Sequence, residues 1–140
     1  MCSSDLIVAG RRLGDNARAA LVTRGLAEIH RLGRVLGAQP ATLMGLSGLG
    51  DLVLTCTSEQ SRNFSLGVAL GRGQSATDVL ASRTSIAEGV ATAGAVVTLA
   101  GRLGIEMPIS AAVDAIVNHG AAIDAVITSL LARPFRAEEE

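Results

Sequence analysis

The sequence predicts an all-α, multi-helix, bundle-like domain, and three observations carry that prediction. Apolar residues recur at steps of three and four along several stretches, and no stretch shows the period-two alternation of a half-buried strand. The aromatic fraction is 1%, two Phe with no Trp or Tyr, within a hydrophobic fraction of 49%. Ala, Leu, Val and Gly must therefore do the packing, which suits closely spaced helices better than aromatic-rich strands. Gly, Pro, Ser and Asp fall where such helices would stop and start. At 140 residues the chain is long enough for one domain with a real core.

Taken in order, residues 1–6 (MCSSDL) have no periodicity and read as a disordered or non-native leader, followed by a helical domain over 7–134 and a polar tail over 135–140. After a loop at residues 10–14, Asp15 or Asn16 can cap a helix over 16–36, whose stripe is Val22, Leu26, Ile29, Leu32 and Leu36. Arg24, Glu28 and Arg31 lie off that stripe at pairing distances. Gly37 is a stop, and Pro40 opens a second helix to about residue 46. A short helix over 51–55 comes next, then one capped by Ser61 and running to about residue 70, ended by Gly71-Arg72-Gly73. Ser75 caps a short helix to about residue 81, and residues 83–87 form a loop.

A long helix over 88–103 carries Val90, Ala93, Val97 and Ala100 on one side. Its Gly89, Gly94 and Gly101 each cost about 1 kcal/mol against alanine, which suggests close backbone approach. Gly104 stops it, Pro108 opens a helix over 109–118, and residues 122–132 form the last one before Pro134. The count is seven or eight helices with short connections and no internal repeat.

Composition narrows function. The net charge of −1 and the missing aromatic platforms speak against nucleic acid. All twelve basic residues are arginine, so chemistry that needs a lysine amine cannot be done by these residues alone. Two cysteines, Cys2 and Cys56, make no disulfide framework, and Cys56 reads as a small buried hydrophobe. No signal peptide is evident, and no uncharged run reaches the roughly 18 apolar residues of a membrane span. A cytoplasmic setting is the default. His30 and His119 lack a second metal ligand one turn away and read as structural or solvent-facing, so no metal is expected.

The densest polar chemistry lies in Gly48-Leu49-Gly50-Asp51-Leu52-Val53-Leu54-Thr55-Cys56-Thr57 and in Ser61-Arg62-Asn63. Asp51 is either a helix cap or a ligand-binding acid. Thr55, one turn on, either joins it or bonds its own backbone. A helix starting at Ser61-Arg62-Asn63 offers unpaired N–H groups, a positive dipole end and a guanidinium fork, a set suited to phosphate, or else it is a capped surface helix. Asp51, Thr55, Arg62 and Asn63 could converge on one small anionic ligand.

Several separated stretches resemble the C-terminal domain of bacterial-type NAD(P)-dependent glycerol-3-phosphate dehydrogenases. They are residues 14–28 (GDNARAALVTRGLAE), the Gly48–Thr57 and Ser61–Asn63 motifs, Ile86-Ala87-Glu88-Gly89 and Glu106-Met107-Pro108-Ile109, and the likeness covers residues 7–134. The resemblance implies an all-helical domain of the 6-phosphogluconate dehydrogenase C-terminal type. It also implies an enzyme interconverting dihydroxyacetone phosphate and sn-glycerol 3-phosphate with NAD or NADP, feeding phospholipid synthesis. In that family a Rossmann domain holds the dinucleotide and the catalytic lysine lies upstream of the matching region, so this chain alone is expected to be inactive.

By resemblance, Asp51 contacts the hydroxyl end of the substrate and orients the lysine, with Thr55 and Asn16 in the same polar cluster. Ser61, Arg62 and Asn63 hold the phosphate, Arg62 also reaches the dinucleotide, and Ile86 and Glu88 line its side of the cleft. The implied partners are a small phosphorylated substrate and the Rossmann domain, with a homodimer left open. The alternative is a non-catalytic helical module that binds a phosphorylated ligand or a partner protein.

Overall fold

The computed structural model describes residues 14–57, 62–82 and 87–134. Among them are eight α-helices and one π-helical turn, with no strand. The helices are α1 (Asp15–Val35), α2 (Pro40–Leu43), α3 (Asp51–Thr57), α4 (Arg62–Gly71), α5 (Ala76–Ser82), α6 (Ala87–Leu103), α7 (Pro108–His119) and α8 (Ile123–Ala132); the π turn is Leu46–Gly50. The all-α expectation holds, and most predicted boundaries fall within a residue or two. Ser75 caps α5 as expected: its Oγ accepts the Asp78 N–H at 3.1 Å. Gly104 stops α6 in the left-handed region at φ 67°, and Gly120 does the same for α7 at φ 66°.

α1 is the spine, because it is buried along two stripes. The predicted stripe is half right. Val22, Leu26 and Ile29 pack on Leu52 and Cys56 of α3, and Cys56 is fully buried, as expected of a small hydrophobe. Leu36, however, lies past the helix end and is 61% exposed, so the stripe stops short of it. A second apolar stripe, outside the predicted one, is formed by Ala17 and Leu21, which pack with Ile109 of α7 and Leu130 of α8. The larger core lies beyond, where Leu66, Leu70, Val79, Ala93, Val113, Ile116, Val117 and Ile127 bring together α4 to α8.

The polar residues of α1 differ from the expected surface pairs. Glu28 is 1% exposed, and its carboxylate accepts the backbone N–H groups of Ile109 (2.5 Å) and Ser110 (3.1 Å) and the Ser110 hydroxyl (3.1 Å). Those are first-turn donors of α7 that no helix can satisfy from within, and a carboxylate suits the positive dipole end there. Arg24 does the reverse job at the end of α8, donating to the carbonyls of Leu130 and, at 2.7 Å, Arg133. Arg31 donates to the Glu106 carbonyl at 2.8 Å. One polar ridge on α1 therefore secures the start of α7 and the end of α8.

Three further expectations are corrected. Neither Asp15 nor Asn16 caps α1: the cap position is Gly14 at φ 95°, with no side-chain hydrogen bond. α2 ends at Leu43 rather than near residue 46, because the chain widens into the π turn. Close approach is found at Gly94, where a Cβ would meet Asp114 Oδ1 at 3.4 Å, but Gly101 faces open space. The leader and the tail lie outside the described residues, as does the loop over 83–86.

Candidate functional site

Asp51 is the first residue of α3, and its backbone is helical at φ −64°, ψ −42°. Its N–H is already bonded to the carbonyls of Gly48 and Leu46, so the π turn runs into α3 without a break. A capping residue has non-helical dihedrals and a side chain turned onto the following N–H groups. Asp51 has neither. It is exposed, and among the described residues its carboxylate takes part in no hydrogen bond or ion pair. An acid in the first turn is favoured by the helix dipole, which tolerates the unpaired charge here.

Thr55 sits one turn along α3, on the same face as Asp51. Its hydroxyl reaches the backbone carbonyls of Asp51 (2.9 Å) and Leu52 (3.2 Å), the local bonding that β-branched hydroxyl residues favour in helices. It therefore touches the Asp51 main chain rather than the carboxylate.

α3 packs against α1 through Leu52 and Cys56 and also against α4, whose first residues are Arg62 and Asn63. The fold thus carries the acid and the Arg62-Asn63 pair on two neighbouring helices. α4 is ten residues long, so its first-turn N–H groups and positive end are those of a regular helix. The side chains of Arg62, Asn63 and Glu88 lie outside what is described, as do Ser61 and Ile86 altogether. Asn16 is exposed in the first turn of α1, six residues before Val22, or about 9 Å of helix from the contact with α3.

A small void lined by Leu21, Val113, Ile116, Ile127 and Leu130 is apolar and includes none of these site residues. His119 is 70% exposed, 3.3 Å from Asp114, and His30 is half-buried with Nε2 enclosed and without a partner among the described residues. No group of three or more His, Cys, Asp and Glu suited to a metal occurs among the described residues. No helix there is long and apolar enough to cross a membrane. The residue that sequence reasoning missed is Glu28. Its only signal was an acid one turn after Arg24 and nearly one turn before Arg31, which looks the same on a solvated face.

The described residues contain no strand, so they offer no strand–turn–helix cradle for a dinucleotide. The family described as NAD-dependent glycerol-3-phosphate dehydrogenase C-terminus matches residues 6–128. The chain is 62% identical over 132 residues to the glycerol-3-phosphate dehydrogenase [NAD(P)+] of Rhodospirillum rubrum, covering 94% of this chain and 38% of that protein. It is 58% identical over 134 residues to the enzyme of Erythrobacter litoralis, covering 96% of this chain and 40% of that one. A crystal structure of glycerol-3-phosphate dehydrogenase from Coxiella burnetii superposes with a TM-score of 0.89 at 42% identity, over 94% of this chain and 41% of that one. The chain spans about two fifths of the length of the relatives it matches. Its helical architecture and its match over nearly the whole sequence establish that it belongs to the NAD-dependent glycerol-3-phosphate dehydrogenase C-terminal family.

Proposed function

We propose that the chain is the substrate-holding half of a glycerol-3-phosphate dehydrogenase of the cytoplasm, interconverting dihydroxyacetone phosphate and sn-glycerol 3-phosphate for phospholipid synthesis. The observation that carries the reading is Asp51: exposed, helical, not capping, and without a partner among the described residues. An exposed acid with no bonding partner among the described residues, on a helix packed against the one that Arg62 and Asn63 open, is available to a ligand.

In this reading the start of α4, with Ser61, Arg62 and Asn63, holds the phosphate by N–H groups, dipole and guanidinium together. Asp51 faces the hydroxyl end and keeps a lysine of the dinucleotide-binding half charged and aimed, through proximity of opposite charge. Thr55 and Asn16 support that polar end, and Ile86 and Glu88 line the cofactor side. NAD or NADP, bound on the other half, supplies the hydride. With no lysine among its twelve basic residues, this chain leaves the general acid to that half as well.

Exposed apolar side chains fit the same picture. Leu46 is 91% exposed, Leu54 65%, Leu36 61% and Met44 51%; they lie in the π turn, on α3, and just past the ends of α1 and α2, elements packed in sequence against one another. This is the kind of surface that the dinucleotide-binding half of the relatives would cover. The test is an assay with dihydroxyacetone phosphate and NADPH, on the chain alone and after addition of a dinucleotide-binding half from a relative. The expected result is turnover only in the mixture. Turnover by the chain alone, or none in the mixture, would overturn the reading.

A further inference from the structure

Asp51 has a second unusual property: its side chain is held by nothing among the described residues, so its place is set by the backbone that leads into it. That backbone is the π turn. The Gly50 N–H reaches back five residues to the Gly45 carbonyl at 3.2 Å, and the Gly48 N–H shares the same acceptor at 3.2 Å. Such single π turns inside helical segments are uncommon and frequent at functional sites.

The turn is possible only because Gly48 lies directly against the end of α2. A Cβ at Gly48 would stand 2.0 Å from the Leu43 carbonyl oxygen, 2.6 Å from its carbon and 2.7 Å from the Leu43 Cα. Real Cβ contacts essentially never fall below 3.0 Å, and these are all backbone atoms, which cannot swing aside. The neighbouring glycines differ. At Gly45 the nearest atom to a Cβ would be at 3.4 Å, and at Gly50 it would be the end of the Leu46 side chain at 3.4 Å. Sequence proximity would single out Gly50, which adjoins Asp51; the geometry singles out Gly48.

We propose that Gly48 is a positioning residue: its contact with the Leu43 backbone fixes the π turn and thereby the place from which Asp51 meets the substrate and the lysine. This rests on the dehydrogenase reading above. Any side chain at 48 must push the turn and α2 apart by about 1 Å, and a misplacement of that size at a reacting group costs about 10²-fold in rate.

The experiment compares Gly48→Ala, Gly45→Ala, Asp51→Asn and Asp51→Glu in the reconstituted pair, with dihydroxyacetone phosphate and NADPH. Gly48→Ala is expected to lower kcat about 10²-fold while KM changes less than about threefold, and Gly45→Ala to leave both unchanged. The double variant Gly48→Ala/Asp51→Asn should lose little beyond Asp51→Asn alone. Asp51→Glu moves the carboxylate outward without touching the turn, so it should also lower kcat even if Gly48→Ala does not fold. Full activity of Gly48→Ala or of Asp51→Glu, or additive losses in the double variant, would overturn the proposal.

A native pair without turnover would remove the dehydrogenase reading instead. The positioning claim is then read from backbone resonances of the lone chain. Those of residues 51–55 should shift in Gly48→Ala while those of α7 and α8 stay; unchanged resonances at 51–55 would overturn it.

Discussion

Two acids on neighbouring helices, Glu28 and Asp51, have opposite fates. Glu28 is buried against the start of α7 with three donors on its carboxylate. Asp51 is exposed at the start of α3 with no partner among the described residues. Both complement a helix N-terminus by charge, but only Glu28 does so for a helix other than its own. The difference separates the two halves of the domain. Along α7 and α8, polar groups of α1 are consumed in holding helix ends. Along α2, the π turn and α3, Asp51 has no partner among the described residues, and Leu46 and Leu54 are exposed with it.

Substitutions at the two acids, at Arg62 and in α6 sharpen that contrast. The largest effect is expected from Asp51→Asn in the reconstituted pair: a loss of about 10²-fold or more in kcat/KM with little change in melting temperature, since the carboxylate makes no hydrogen bond or ion pair among the described residues and contributes only its dipole interaction at an exposed helix end. Glu28→Ala should do the reverse. It leaves the Ile109 and Ser110 donors unsatisfied in a buried place, at a cost of about 1–3 kcal/mol in denaturant unfolding. Arg62→Ala should weaken binding of glycerol 3-phosphate far more than Arg102→Ala, as read by calorimetry; equal losses would dissolve the phosphate end of the site. The smallest effects are in α6: Gly101→Ala, which fills open space, should stabilise by about 0.5–1 kcal/mol, and Gly94→Ala should gain less because Asp114 crowds it at 3.4 Å.

The two acids also differ with pH. Burial pushes the Glu28 carboxyl above the ordinary carboxylate range, and the hydrogen bonds from Ile109 and Ser110 and the charge of Arg31 oppose that shift without cancelling it. Between the ordinary and the raised value, the folded state therefore holds a proton that the unfolded chain has lost. The stabilisation from that proton is fully present below the ordinary Glu value and is lost as pH rises through the raised native one. Melting curves of the native chain and Glu28→Gln across that window should show the native chain losing stability relative to the variant as pH increases.

How much of this was legible in the sequence depends on whether the signal was local. Ser75 as a cap, Pro108 as a helix start and Gly104 as a stop depend on a few neighbouring residues, and all three are where the sequence places them. Glu28 was misread because its partners are 81 and 82 residues away, and an amphipathic stripe says nothing about what lies against the polar side. The π turn was missed because apolar spacing does not distinguish a bond four residues back from one five back. Of the candidate site, the structure shows Asp51 and Thr55 on one face of α3 and α4, which Arg62 and Asn63 open, packed against that helix. The expected capping role of Asp15 or Asn16 failed because Gly14 already turns the chain into α1.

The most direct measurement sets Asp51→Asn beside Glu28→Gln in the reconstituted pair, each scored for reduction of dihydroxyacetone phosphate and for melting temperature. The expected pattern is crossed: Asp51→Asn abolishes most turnover and melts like the native chain, and Glu28→Gln melts earlier yet turns over at the native rate while folded. Native turnover in Asp51→Asn, or a lowered melting temperature there with Glu28→Gln unaffected, would contradict the division of the domain into a clamped half and a half that serves the ligand.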